Sequence, residues 1–89
     1  MRAIVTVVGR DRVGIIAEVS ALMKESEINI LDISQTVLAE FFTMVMLVDM
    51  AACKSTFSEI KESLDSKGQS MGMAVRIQRE DIFEAMHRI

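Results

Sequence analysis

Residues 29–50 read NILDISQTVLAEFFTMVMLVDM. Leu31, Ile33 and Val37 share one side of a period-two alternation, with Asp32, Ser34 and Thr36 against them. That is the pattern of a strand with one polar face. Ala39-Glu40 is a two-residue turn candidate, although it lacks the usual Asn-Gly or Gly signature. From Phe41 to about Met50 a second strand follows, apolar on both sides: Phe42, Met44, Met46 and Val48 on one, Phe41, Val45 and Leu47 on the other. The stretch therefore predicts a β-hairpin. One face of its second strand must pack on helices. The other needs cover as well, because a bare apolar patch of that size is unusual on a monomer.

Working outward, residues 2–8 are rich in Ile, Val and Thr and end at Gly9, which predicts a strand. Only Thr6 interrupts its apolar character, so it belongs in the middle of a sheet. After the polar loop Gly9-Arg10-Asp11-Arg12, Ile15, Val19, Leu22 and Met23 recur at helical spacing, predicting a helix from about 13 to 26. Beyond the hairpin, residues 51–56 form a loop. Thr56 and Glu59 have capping-box spacing, and Phe57, Ile60 and Leu64 mark a second helix. Lys67-Gly68 ends it, with Gly68 suited to the left-handed position beyond a helix. Met71, Met73, Val75 and Ile77 alternate with Gly72, Ala74, Arg76 and Gln78, predicting a last strand with one wet face. Ile82, Phe83, Met86 and Ile89 mark one side of a short C-terminal helix over 80–89.

The predicted order is β-α-β-β-α-β-α, in one domain spanning 1–89. Its first six elements are an α+β, ferredoxin-like βαββαβ sandwich: a four-stranded antiparallel sheet with two helices on one face. The chain has 89 residues, 51% apolar and 26% charged. A chain this short buries only roughly 60–65% of its unfolded surface, so its core is thin. Thin core and two-faced hairpin strand together predict a homodimer or a higher even oligomer.

Composition narrows the function. A net charge of −3 argues against nucleic acid and against anionic membrane as partners. The single cysteine, Cys53, flanks neither a second cysteine nor a histidine, which removes an internal disulfide, zinc and thioredoxin-type motifs. No stretch reaches the ~20 apolar residues of a membrane span, and 3–8 is too short for a signal segment. The expected location is cytoplasmic. One histidine, His87, gives no catalytic arrangement with sequence support. Gly9 and Gly14 have phosphate-loop spacing, but Ile15-Ile16 stands where Lys-Ser/Thr is needed. The chain therefore reads as no enzyme, with no metal and no cofactor.

What stands out is the loop before the first helix. A helix N-terminus exposes unpaired N–H groups and a partial positive charge, suited to a carboxylate. Gly9 and Gly14 leave the backbone accessible, and Asp11 adds an anion. Together they match a zwitterion, with its carboxylate on the N–H groups and its ammonium on Asp11. Alternatively, Asp11 caps the helix and the glycines only make the turn.

Val8-Gly9-Arg10-Asp11-Arg12-Val13-Gly14-Ile15-Ile16-Ala17, then Asn29-Ile30 and Asp32-Ile33-Ser34-Gln35, resemble the ACT domain. The likeness is greatest to the small stand-alone ACT proteins of prokaryotes, and next to glycine-cleavage repressor-like regulators. It covers essentially the whole chain. The resemblance implies a regulatory module that binds a small molecule, an amino acid by expectation, between two copies. By position it assigns Gly9, Asp11 and Gly14 from the loop of one copy, and Asn29 with the backbone of Ile30 from its neighbour. Two features depart from the family pattern: Val13 stands where many members carry proline, and Gly9 and Asp11 replace the polar side chains of the serine-binding type. The competing reading is an assembly or protein-interaction module with no ligand.

Overall fold

The structure is a computed structural model that describes residues 1–81. Its elements are β1 (Arg2–Arg10), α1 (Ile15–Glu25), β2 (Asn29–Leu38), β3 (Phe41–Asp49), α2 (Phe57–Ser70) and β4 (Ala74–Arg79). The strands form one antiparallel sheet in the order β2-β3-β1-β4, the ferredoxin-like arrangement. β1 is central, as its two-sided apolar character requires. The C-terminal helix expected over 80–89 lies outside the described residues except for Glu80 and Asp81.

The register explains the layering. Val5 stands opposite Met46 and Val7 opposite Met44 in the β1–β3 pair, while Val7 faces Val75 and Val5 faces Ile77 across β1–β4. Directly opposed residues share a face. Hence Ala3, Val5, Val7, Phe42, Met44, Met46, Val48, Val75 and Ile77 all point at the helices, and all are buried. From above they meet Ile15, Val19, Leu22 and Met23 of α1 and Ile60 and Leu64 of α2 in a single core. No polar or charged residue is buried among the described residues. The adaptable methionines serve as core filler here, with Met23, Met44 and Met46 each 1% exposed.

The hairpin forms at the expected turn, where Ala39 takes up a left-handed φ of 54°. The capping box is complete: Thr56 Oγ1 accepts from the Glu59 N–H at 3.2 Å, and the Glu59 carboxylate accepts from the Thr56 N–H at 2.9 Å. That carboxyl is held below the usual carboxylate range, mainly by the backbone bond it accepts.

Several local expectations are corrected. β1 runs on to Arg10, and α1 starts only at Ile15 because Gly14 occupies its N-cap. Gly68 does not end α2. It lies inside the helix, and the left-handed residue is Gly72, with φ 74°. The Met73 N–H donates to the Gly68 carbonyl at 2.8 Å and the Gly72 N–H to the Gln69 carbonyl at 3.0 Å, which together close a Schellman motif around Gly72. Met71 to Met73 belong to this turn, so β4 begins at Ala74. The apolar side of β2 is not a buried face either. Residues 31–40 are all exposed, because β2 is an edge strand, and an irregularity between Ile30 and Asp32 takes Leu31 out of register.

Gly68 has a packing role instead. A Cβ there would stand 2.8 Å from Val75 Cγ2 and 3.0 Å from the Met73 carbonyl oxygen. Alanine is the better helix former by about 1 kcal/mol, but overpacking costs about 1–3 kcal/mol. Gly68→Ala is therefore expected to lower the urea midpoint at an unchanged slope. A raised midpoint would show that α2 and β4 can separate freely.

Candidate functional site: the β1–α1 loop and the head of β2

The loop of residues 11–14 is fixed at three points. The Asp11 N–H donates to the Glu40 carbonyl at 2.8 Å, tying the loop to the β2–β3 turn. The Arg12 guanidinium donates to both carboxylate oxygens of Glu18, with Nη1 to Oε1 at 3.1 Å, and Nη2 also reaches the Met71 carbonyl at 3.3 Å. Gly14 then enters the helix at φ 86° with no side-chain cap. The Gly14 carbonyl accepts the first helical bond, from the Glu18 N–H at 3.0 Å. The N–H groups of Ile15, Ile16 and Ala17 precede it and have no helical carbonyl to bond.

Each candidate residue now has a position. Gly9 is half-buried and pairs with Phe42, and a Cβ on it would meet Met73 Cε at 3.0 Å. Close packing explains that glycine. Gly14 is exposed with nothing within 4 Å of its Cβ position, so its backbone faces open space. Asp11 is exposed and is not the N-cap, so the capping alternative falls. Asn29 is exposed at the head of β2 opposite Asp49, and Ile30 is half-buried opposite Val48.

Within one chain these residues do not meet. Asn29 is in register with Asp49 and Asp49 with Arg2, whereas the loop follows Arg10, in register with Phe41 and Leu38. The eight residue steps of β1 from Arg2 to Arg10 separate the two groups by roughly 25–30 Å.

Sequence reasoning missed Arg12, Glu18 and Glu40. An acid in the first turn of a helix is a legible signal, but its pairing with Arg12 is not. The hydrogen bond from Arg12 holds the Glu18 carboxyl below the usual carboxylate range. The ionised pair thus presents a neutral rim beside the free N–H groups. Elsewhere, a groove of about 500 Å³ runs along α2 and the outer edge of β4, lined by Ser58, Lys61, Glu62, Asp65 and Arg76 among others. It is remote from the loop, and its mixed charges favour no ligand sign. The described residues hold no cluster suited to a metal ion, and none of their helices is long and apolar enough to cross a membrane.

The fold carries over to known proteins. The ACT domain family model matches residues 2–78. The chain belongs to the ACT domain family. A UPF0237 protein of Clostridium acetobutylicum is 51% identical over 89 residues, all of both chains. The ACT domain protein from Streptococcus pneumoniae superposes with a TM-score of 0.83 at 44% identity, over 94% of each chain. A protein assigned as a glycine cleavage system transcriptional repressor matches with a TM-score of 0.71 at 26% identity, over 86% of this chain and 44% of its own. In this ACT domain, Gly14 enters α1 in the left-handed region, which L side chains adopt only with strain.

Because the space around Gly14 is open, a substitution there is opposed by backbone strain and not by contact. The left-handed region costs most L-residues roughly 1–2 kcal/mol, and asparagine less. Gly14→Ala should lose about 1 kcal/mol in urea unfolding, and Gly14→Asn should recover part of it. Equal stability of all three chains would show that the helix start relaxes out of its left-handed turn.

Proposed function

We propose that this ACT domain is a non-catalytic, cytoplasmic regulatory module that senses a small molecule bearing a carboxylate, first of all an amino acid, as a homodimer. The observation that carries the reading is the division of the site. The loop with Asp11, Gly14 and the free N–H groups lies at one end of the sheet, and Asn29 and Ile30 lie at the other. Two copies related by a two-fold axis through their β2 edges run antiparallel and bring the loop of one toward Asn29 of the next. β2 suits that role, since its outer edge pairs with no strand among the described residues and residues 31–40 are exposed. The closed interface would be isologous.

In the bound state the ligand carboxylate sits on the N–H groups of Ile15, Ile16 and Ala17. Asp11 holds the ammonium, and Asn29 of the second copy donates and accepts at the rim. Arg12 keeps Glu18 from repelling the carboxylate. A thermal-shift screen against amino acids is the first test, with melting temperature rising in step with ligand concentration for a true ligand. Calorimetry then separates the roles. A charge-assisted bond contributes roughly 1.5–3 kcal/mol, so Asp11→Asn should weaken the amino acid about tenfold or more and spare the matching acid without its amine. Equal losses for both would remove Asp11 from the ammonium role.

An assembly or protein-interaction module without ligand is the second reading. It is favoured by the apolar side chains at the loop end of the sheet, where Val13 is 99% exposed and Leu38 75%. A screen with no stabilising amino acid supports it. Both readings involve a second copy, and light scattering at micromolar concentration should report a dimer. A stable monomer would overturn the divided site.

A further inference from the structure

β2 is an outer strand of the sheet, and residues 31–40 are exposed along it. Its pairing with β3 sorts their side chains by face. Ile33, Gln35 and Val37 stand opposite Met46, Met44 and Phe42, which are buried toward the helices. They therefore lie on the helix side of the sheet. Ser34 and Thr36 stand opposite Val45 and Thr43 and lie on the other side. Although on the helix side, Ile33 is 41% exposed and Val37 52%. The stretch Ile33-Ser34-Gln35-Thr36-Val37 reads alike in either direction: β-branched apolar, hydroxyl, amide, hydroxyl, β-branched apolar. It is also the middle of the run from Asp32 to Leu38, which follows β3 one residue for one. A strand paired antiparallel with its own copy meets its sequence reversed, so a chemical palindrome is complementary to itself.

We propose that two copies pair along β2 with Gln35 on the two-fold axis. This rests on the β2-edge dimer of the proposed function and fixes its register. The axis stands perpendicular to the sheet. Residues brought opposite one another share a face, so the axis passes through a residue and not between two. With Gln35 on it, Ile33 of each copy meets Val37 of the other on the helix side, and Ser34 meets Thr36 on the open side. Both are favourable cross-strand pairs, one of β-branched side chains and one of hydroxyls. The two Gln35 amides each donate to and accept from the other. The exposed apolar side chains thereby cover one another. An axis at Ser34 sets Ile33 against Gln35, and an axis at Thr36 sets Val37 against it. Axes farther from the middle shorten the regular run that pairs. The same register places the head of β2. Asp32 of one copy stands opposite Leu38 of the other. Leu31 is out of register, so Ile30 and then Asn29 follow at the level of the second copy's turn, Ala39-Glu40. The Glu40 carbonyl in that turn accepts the Asp11 N–H at 2.8 Å. Asn29 thus arrives at the end of the neighbouring sheet from which the Asp11 loop emerges.

The test is disulfide trapping on the full-length chain carrying Cys53→Ser. Ser34, Gln35 and Thr36 are exposed, so a cysteine at any of them leaves the core intact. Directly opposed Cβ atoms lie about 4.5–5.5 Å apart and diagonal ones about 7–8 Å, while a disulfide takes about 3.5–4.5 Å. Only an opposed pair is within reach. Under mild oxidation Gln35→Cys should form a linked homodimer about tenfold faster than Ser34→Cys or Thr36→Cys alone. Mixing the Ser34→Cys and Thr36→Cys chains should restore fast linkage, between one chain of each kind. Should Ser34→Cys or Thr36→Cys alone link as fast as Gln35→Cys, the register is overturned and the β2-edge dimer stands. No linkage at any of the three, in a protein that light scattering reports as a dimer, overturns the pairing edge, and the divided site falls with it.

Discussion

The pairing of Val5 with Met46 and of Val7 with Met44 is the constraint on which the rest of this structure depends. β1 and β3 are the inner strands, and their register turns both sets of apolar side chains to the same face. A slip of one residue would turn one of those sets away from the helices. Both helices depend on the shared surface, since each is amphipathic and short and has no other place to bury Val19, Leu22 and Met23 or Ile60 and Leu64. The register also fixes where the residues of the proposed site lie. It sends the β1–α1 loop and the β2–β3 turn out at one end, close enough for the Asp11 N–H to bond the Glu40 carbonyl, and leaves Asn29 at the other.

The order of elements is legible because each carries a local period: two in the strands, 3.6 in the helices, with the capping box at Thr56 as punctuation. The misread features are the non-local ones. Gly68 resembles a helix stop when only its neighbours in sequence are considered. Its real constraint is the approach of Val75, which belongs to the next strand. The apolar residues of β2 suggest a buried face, yet exposure follows from strand order, and β2 falls at the edge. The same holds at the site. Gly14 and Asp11 can be picked out from the sequence. The Asp11–Glu40 bond, by contrast, exists only because the hairpin returns to the loop, and the Arg12–Glu18 pair only because the helix start at Ile15 turns Glu18 back toward the loop.

At the proposed site, the local charge of the loop outweighs the charge of the whole protein. The chain carries −3, which alone would oppose an anionic ligand. At physiological ionic strength, however, charges are screened beyond about 8 Å, so the groups at the helix start decide. Glu18 is the nearest acid in the first turn of α1, and its pairing with Arg12 cancels its field where the free N–H groups point. Removing Arg12 would leave the same three N–H groups beside an uncompensated carboxylate. Arg12 also reaches the Met71 carbonyl, so one side chain both sets the electrostatics and joins the loop to the turn after α2.

The irregularity between Ile30 and Asp32 gains meaning in this setting. An exposed edge of ten residues is a template for unwanted strand addition, and a bulge limits it by breaking the regular row of donors and acceptors. Here the break lies beside Asn29 and Ile30 and not in the middle of β2. From Asp32 to Leu38 the strand follows β3 without interruption and can offer a regular edge to a second copy. Asn29 and Ile30 are set off from that row by one residue, with the added local twist that a bulge brings. The head of β2 is thereby freed from the register of the pairing edge. In the proposed dimer, that freedom would let Asn29 turn toward a neighbour's loop while the rest of the strand pairs the two sheets.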